Sequence, residues 1–444
     1  MKISRILHAG YVFESRGTQL LFDPIFENPF SRNCHAFPAA SFDLEQIRAL
    51  TPDAIFISHF HDDHCSLESL HLLPRATPVY LYCLFDELFD LIRALGFTDV
   101  QPLAIDVPVQ VGAIEVIPRR ALDDDVDSMF HIRAEGLNIL NVVDAWMDPE
   151  TLQQLQAYAP WDMVLWPFQT MREVDVIAPS RARDAATQFS AQFPDEWSEQ
   201  LQALNPRVVV PSSCQFVQEP WSWYNHAMFP ITYRAFGEAV AGWLPAAQVL
   251  RLDPSVAVEL TAQALVPAAP LPWVLPQGEQ DVDFEYDPAI VPPPTAEIAR
   301  RFAALSAAQA AQVLDFCRHG LLQRYAEMEL PDDSYFQQPC VWQLTVVDHE
   351  GTGQRWRYRI HGDTIALTGD DAAPTWTTEI PAAKLYAGLA LGESLTSMYM
   401  RIGGAQVEAD ADADIADDPL IRCLFNDAFG AYQAAQLRRL KDTA

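Results

Sequence analysis

Apolar and polar residues alternate along residues 1–265 in two kinds of pattern. Short apolar runs predict buried strands, and segments in which apolar residues recur every three or four positions predict amphipathic helices. Such strands and helices that alternate along a chain predict a layered α/β body. The predicted strands include Asp53–Ile57, Pro78–Cys83, Gly112–Pro118, Phe130–Ala134, Asn138–Val143, Pro160–Pro167 and Arg207–Pro211, and the predicted helices include Ser66–Leu73, Asp86–Leu95, 149–157, 179–192 and 196–204.

The composition changes between Val266 and Pro294. This window holds eight prolines and the acidic run Glu279–Asp287, which predicts a linker. After the linker, the pattern predicts helices at Thr295–Glu327, Ala382–Leu391 and about 419–440, and strands at Val341–Asp348, Arg355–His361, Thr364–Thr368 and Thr377–Ile380, the first three as an antiparallel meander. We therefore expect a larger α/β domain over 1–265, a Pro-rich linker over 266–294 and a smaller α+β domain over 295–444.

Length and charge narrow the classes of function. A chain of 444 residues has room for two domains. Its formal net charge of −31 argues against a nucleic-acid partner and favours a small-molecule substrate. Seven cysteines without a C-x-x-C pair predict reduced thiols in a cytoplasmic protein. The sequence predicts no signal peptide and no membrane span, and it leaves a homo-oligomer open.

Three histidines and two aspartates occupy six consecutive positions directly after the predicted strand that ends at Ile57. The segment is His59-Phe60-His61-Asp62-Asp63-His64. Neutral imidazole combined with carboxylate suits Zn, Fe or Mn better than Ca or Mg. Because a strand end is a rigid support, the segment predicts a transition-metal site at this edge of the sheet.

The His59–His64 motif resembles that of the metallo-β-lactamase-fold superfamily, and Ile6–Glu14 with Leu20–Pro24 is similar to its opening hairpin. The resemblance covers about residues 1–255 and points to the branch of ascorbate-6-phosphate lactonase, N-acylphosphatidylethanolamine phospholipase D and CMP-N-acetylneuraminate hydroxylase. It implies an αββα sandwich with a dinuclear site. The C-terminal part weakly resembles the sterol-carrier-protein-2 fold, a small lipid-binding α+β domain; a structural or dimerisation domain is the alternative.

The resemblance implies a role for each ligand. His59 and His61 would bind the first ion, Asp63 and His64 the second, and Asp144, at a strand end, would bridge both. Two family histidines are missing. The resemblance places one of them before the strand at 128–133, where an aspartate from 123–125, such as Asp124, would substitute and His131 is an alternative. The other follows Pro211, and its nearest replacement is His226, for which a structural role among aromatic residues is an equal alternative.

Further residues are expected around the ions. Asp23 would orient a ligand, and His8 would line the pocket. The remaining candidates for substrate contact are Trp146, Gln169, Arg172 and Tyr224.

The resemblance implies a hydrolase with two divalent ions, Zn or Fe, with Mn also compatible. A metal-bound hydroxide would attack an ester, lactone, amide or phosphodiester, with Asp63 or Asp144 as the proton acceptor. Carboxylates in place of histidines favour iron or manganese, so a diiron O₂-dependent oxygenase is the first alternative. A metal-bearing binding protein for an apolar ligand is the second.

Overall fold

The strands of the N-terminal part form two mixed sheets, which pack face to face. The computed structural model describes residues 1–179, 193–369, 373–405, 407, 414–425 and 430–442. In spatial order the first sheet contains Leu265–Ala268, Ala257–Leu260, Lys2–Arg5, Tyr11–Ser15, Thr18–Phe22, Ala54–Ile57, Val79–Leu81 and Val100–Pro102. The second contains Gln248–Val249, Val208–Ser212, Met163–Pro167, Leu137–Asn141, Ser128–Ala134, Ile114–Arg120 and Val109–Val111.

Aromatic side chains fill the space between the two sheets. Phe22 stacks on Phe56, with ring centroids 5.2 Å apart, and meets Phe130 of the opposite sheet edge to face at 5.1 Å. All three are fully buried. Successive residues of a strand point to opposite faces, so alternate apolar residues of these strands fill this core while their neighbours face the outer helices.

Helices cover the outer faces of both sheets and complete an αββα sandwich. Their bounds are Leu44–Arg48, Leu67–Leu70, Asp86–Ala94, Pro149–Gln156, Glu173–Ile177, Asp195–Leu204, Tyr224–Ala227 and Tyr233–Trp243. Helix Pro149–Gln156 begins where the sequence predicts, because Asp148 caps the amides of Glu150 and Thr151. Residues 180–192 of the helix predicted at 179–192 lie outside the described residues.

The predicted linker belongs structurally to the N-terminal sandwich. Strand Leu265–Ala268 crosses the expected boundary at 265 and pairs with Ala257–Leu260. Further along, Val274–Pro276 pairs with Ala40–Phe42, and Trp273 is buried. The Pro-rich segment is therefore packed against the first unit along much of its length.

The C-terminal part has its own five-stranded sheet, in the order Thr364–Leu367, Gly353–His361, Cys340–Val347, Trp376–Pro381 and Arg401–Gly403. The first three strands are antiparallel as predicted, and Trp376–Pro381 joins Cys340–Val347 in parallel. The described helices are Thr295–Ala299, Ala307–Asp315, the π-helix Phe316–Gly320, Leu321–Glu327, Ala382–Leu391, Pro419–Phe425 and Ala431–Asp442, with 3₁₀ turns at Tyr335–Gln337, Leu395–Met398 and Ile415–Asp417.

Two predicted helices are divided in the structure. Within Thr295–Glu327, Ser306 starts a new helix, because its hydroxyl accepts from the amide of Gln309 while the Gln309 side chain accepts from the amide of Ser306. The helix predicted near 419–440 consists of Pro419–Phe425 and Ala431–Asp442, separated by residues outside the described set.

The C-terminal part packs directly on the sandwich. Helix Ala431–Asp442 contacts helices Leu67–Leu70 and Asp86–Ala94. Tyr399 lies against Trp221 and Tyr224, with ring centroids 5.0 and 4.8 Å away. All seven cysteines are buried free thiols. Among the described residues, no helix combines the length and the apolar character that a membrane span requires.

We predict that a chain shortened to residues 1–294 is insoluble or aggregates, because helix Ala431–Asp442 no longer covers the apolar faces on which it packs. Soluble yield and size-exclusion profile, compared with those of the full chain prepared in parallel, measure the effect. A monodisperse, folded fragment would contradict it and show that the sandwich is independently stable.

Candidate metal centre

The loop after strand Ala54–Ile57 carries most of the candidate ligands. This strand lies inside the first sheet, between Thr18–Phe22 and Val79–Leu81. After His59, the chain turns sharply, because the amides of His64 and Cys65 both donate to the carbonyl of His61. The turn folds the side chains of 59–64 back toward one point at the edge of the sheet.

Asp23 fixes the orientation of two imidazoles. One of its carboxylate oxygens accepts from the amide of Ser58 at 2.8 Å, and the other accepts from the Ser58 hydroxyl at 2.8 Å and faces Nδ1 of His64 at 3.1 Å. The Ser58 hydroxyl in turn lies 2.9 Å from Nδ1 of His59. Protons on both Nδ1 atoms satisfy this network, which leaves Nε2 of His59 and of His64 free to bind a metal.

The first ligand group consists of His59, His61 and Asp127, whose ligand atoms all lie within 4.8 Å of one another. Nε2 of His59 is 2.9 Å from Nδ1 of His61 and 3.7 Å from Oδ1 of Asp127. Oδ1 of Asp127 is buried and has no hydrogen-bond partner among the described residues.

The second ligand group consists of His8, Asp63, His64 and Asp144. Nε2 of His64 lies 3.2 Å from Nε2 of His8 and 3.0 Å from Oδ2 of Asp144. Oδ2 of Asp63 is 3.1 Å from Nε2 of His8. Two imidazoles and two carboxylates thus point at one small volume.

Asp144 faces both groups. Its Oδ2 belongs to the second group. Its Oδ1 lies 3.9 Å from Nε2 of His59 and is buried, with no hydrogen-bond partner in the part of the chain that the structure describes. The preceding Val143 has φ of 64°, a left-handed conformation that β-branched residues rarely adopt. Such strain costs of order 1–3 kcal/mol, and here it accompanies the placement of a carboxylate between two ligand groups.

Burial and mutual charge shift the pKa values of these groups. Burial lowers the pKa of His59 well below its ordinary value, while burial and the adjacent Asp144 raise the pKa of Asp127 to about 7. Burial also opposes a charge on His64, but Asp144 and Asp63 outweigh burial and raise its pKa well above the ordinary value. A divalent ion at this point would displace the shared protons, so metal binding should release protons.

The side chains present fit transition-metal ions. Both unpartnered oxygens, Oδ1 of Asp127 and Oδ1 of Asp144, face the first group, and a cation there would satisfy them. The four imidazoles and three carboxylates in the two groups are the ligand types that Zn, Fe and Mn share.

The carboxylate beside His59 and His61 is that of Asp127, not of Asp124. Asp123, Asp124 and Asp125 lie on an exposed turn that closes through the bond from the Asp127 amide to the Asp123 carbonyl. Asp127 directly precedes strand Ser128–Ala134, and the Ser128 hydroxyl donates to the carbonyl of Ser58 at 2.8 Å. That bond ties the strand start to the ligand loop. The position of Asp127 directly before this strand is the sequence signal that could have identified it as a ligand.

His226 lies outside both ligand groups. His8 belongs to the second group. The His226 imidazole is 45% exposed and faces Glu285, with Nδ1 and Oε2 4.0 Å apart. His8 follows strand Lys2–Arg5 with a left-handed φ of 49° and is buried. Its place in the opening turn, at the same sheet edge as the ligand loop, is the sequence signal for a ligand role. His131 is buried in its strand beside Arg119 and Asn138.

Each of the remaining four candidates has a different environment. Trp146 is partly exposed and packs against Trp197. Gln169 is buried and exchanges hydrogen bonds with the backbone of Ile231. Arg172 pairs with Asp175, with Nε and Oδ2 2.6 Å apart. Tyr224 is fully buried, and no described residue forms a hydrogen bond with its hydroxyl.

Residues 2–213 match the family model of the beta-lactamase superfamily domain. The αββα sandwich described above is the fold that this family model implies. No curated protein matches the chain significantly.

Similar solved structures include isothiocyanate hydrolase from Delia radicum gut bacteria, at 14% identity over 59% of this chain and 100% of that one, with a TM-score of 0.42. The metallo hydrolase Igni18 from Ignicoccus hospitalis shows 17% identity over 59% and 99%, with a TM-score of 0.38. CmlA, a diiron β-hydroxylase from Streptomyces venezuelae, shows 18% identity over 60% and 54%, with a TM-score of 0.39.

We predict that Asp127→Ala removes about one metal ion per chain, because the first group of this metallo-β-lactamase fold loses its carboxylate. Metal analysis of the purified protein measures the loss. Asp124→Ala is the matched control and should retain full occupancy, since its side chain is exposed outside both groups. Equal metal content in the two variants would remove Asp127 from the ligand set.

A second pair of variants tests whether His8 or His226 is a metal ligand. His8→Ala should weaken metal binding in the second group by at least about tenfold, the scale seen even when outer-shell partners are disturbed. His226→Ala should leave affinity unchanged. Competition titration with a chromophoric chelator measures both values. A larger effect from His226→Ala than from His8→Ala would exclude the proposed composition of the second group.

Proposed function

We propose that the protein is a dinuclear metal-dependent hydrolase that acts on a small organic substrate. His59, His61 and Asp127 would hold one ion, and His8, Asp63 and His64 the other. The observation that carries the proposal is the position of Asp144, whose two carboxylate oxygens each face one ligand group. A carboxylate in that position is suited to hold two cations at a fixed separation.

The residues of the chain prepare the site for attack on an ester, lactone, amide or phosphodiester. Two divalent ions would lower the pKa of water and stabilise negative charge on the substrate oxygen. Asp23 and Ser58 hold the imidazoles of His59 and His64 so that their Nε2 atoms point inward. Asp63 or Asp144 would accept the proton from the attacking water.

Aromatic residues from both parts of the chain support an organic substrate. Trp221, Trp223 and Tyr224 of the sandwich pack with Tyr399 of the C-terminal part, at centroid separations between 4.8 and 5.6 Å. Burial, with Asp63 adding to it, raises the pKa of Glu173, and burial, with Glu173 adding to it, raises the pKa of Tyr224. The assignment to the lactonase and hydroxylase branch, the sterol-carrier-protein-2 likeness, the cytoplasmic location and a homo-oligomer remain predictions from the sequence.

One observation favours a diiron O₂-dependent oxygenase as the second candidate. Asp127 makes the first group a set of two histidines and one carboxylate. This combination of ligands binds iron in non-haem Fe(II) oxygenases, and it also binds zinc in metallohydrolases, so the set is compatible with iron. The choice between the two candidates depends on the metal that the site selects.

Metal analysis of protein purified without added metal tests the proposal. A hydrolase should carry about two colourless zinc ions per chain and retain activity on model esters or phosphodiesters under anaerobic conditions. Two iron ions with a visible absorption band and oxygen-dependent turnover would establish the oxygenase instead. Asp144→Asn, which removes the charge of the shared carboxylate, should lower the metal content in either case, and protein without bound metal would refute both.

A further inference from the structure

The side-chain amide of Gln433, on the C-terminal helix Ala431–Asp442, bonds to both ends of the ligand loop. Nε2 of Gln433 donates to the carbonyl of Phe60 at 2.8 Å and to the carbonyl of Cys65 at 2.8 Å. Both hydrogens of the amide group are therefore used. The two carbonyls bracket His61, Asp63 and His64, so Gln433 sets the separation of the two ends of the segment that carries these three ligands.

Gln436, three residues further along the helix, contacts the next part of the chain after the ligand loop. Its Oε1 accepts from the amide of Leu67 at 2.7 Å, and its Nε2 donates to the hydroxyl of Ser66 at 2.8 Å. One turn further, Nε of Arg439 donates to Glu68 at 2.9 Å. Residues three apart share one face of a helix, so a single face of Ala431–Asp442 contacts the chain from Phe60 to Glu68.

The two glutamines of this contact are buried, and both of their side-chain amide nitrogens donate hydrogen bonds. Gln433 is 2% exposed and Gln436 is fully buried. The Ser66 hydroxyl donates to Glu27 and accepts from Gln436. It also accepts from the amide of Ser69, and through this bond Ser66 caps helix Leu67–Leu70. Loss of either glutamine amide would leave buried carbonyl or amide groups without partners, which is costly in a site that excludes water.

We infer that helix Ala431–Asp442 is a positioning element of the metal centre and acts through Gln433 and Gln436. The inference rests on the proposed function, because it assigns these residues to the ions held by His61, Asp63 and His64. The ligand side chains of the loop point into the two ligand groups, and the carbonyls of Phe60 and Cys65 face the helix. Metal binding and helix docking therefore stabilise the same loop conformation, and each strengthens the other by an equal factor.

The test compares Gln433→Met with Arg438→Ala in the full chain. Methionine preserves the length and apolar stem of glutamine but cannot donate to two carbonyls. Arg438 lies on the same helix and donates instead to the carbonyl of Ala390, within the C-terminal part. Thermal unfolding of both variants detects any general loss of stability, and all binding measurements are made well below the unfolding transition.

Two measurements separate a positioning role from a purely structural one. Cobalt titration should show an affinity about 10–100-fold weaker for Gln433→Met than for wild type, with altered visible ligand-field bands. Hydrogen exchange should show faster exchange for the amides of residues 60–67. Arg438→Ala should match wild type in both measurements.

Each outcome decides the question. A lower unfolding temperature for Gln433→Met with wild-type cobalt affinity and spectrum would overturn the inference and leave the glutamine a structural contact. Equal weakening by Arg438→Ala would also overturn it. If wild-type protein bound no metal, the proposed function would fail, and faster exchange confined to residues 60–67 would still support the positioning of the loop by the helix.

Discussion

The structure depends on the convergence of negative charge at one buried point. Asp63, Asp127 and Asp144 direct carboxylates into the space between four imidazoles. Like charges removed from water repel strongly, and proteins tolerate them where protons or cations neutralise them. Burial and the neighbouring Asp144 raise the pKa of Asp127, and Asp144 and Asp63 raise the pKa of His64, so these carboxylates favour a nearby positive charge. The surrounding fold is arranged to keep these groups together.

The backbone around the metal centre is strained at several positions. His8, Asp23 and Val143 all have positive φ values, and each lies at or beside a ligand. Such conformations are stable only where neighbouring bonds hold them, as the Ser58 amide and hydroxyl do for Asp23. The same arrangement gives His59 and His64 a defined tautomer, so ligand orientation is set before any ion binds.

Much of the sandwich could be predicted from the sequence, because its strands are short apolar runs with clear periodicity. Asp144 was identifiable because it follows a buried strand. Asp127 was harder, since the three aspartates at 123–125 of the same loop compete with it and only the start of strand Ser128–Ala134 selects it. His8 joins the ligands through sheet pairing that local patterns do not encode. Gln433 carries no local signal at all, because its partners Phe60 and Cys65 lie 373 and 368 residues away.

That separation has a consequence for the order of events in the cell. A chain grows at about 5–20 residues per second, so Gln433 follows Phe60 from the ribosome after roughly 20–75 s. During that interval the ligand loop exists without the amide that joins its two ends. If the site binds metal as proposed, correct loading would be a late step of biogenesis, and a ribosome that stalls before residue 433 would release a chain that has the candidate ligands but lacks the support of the loop.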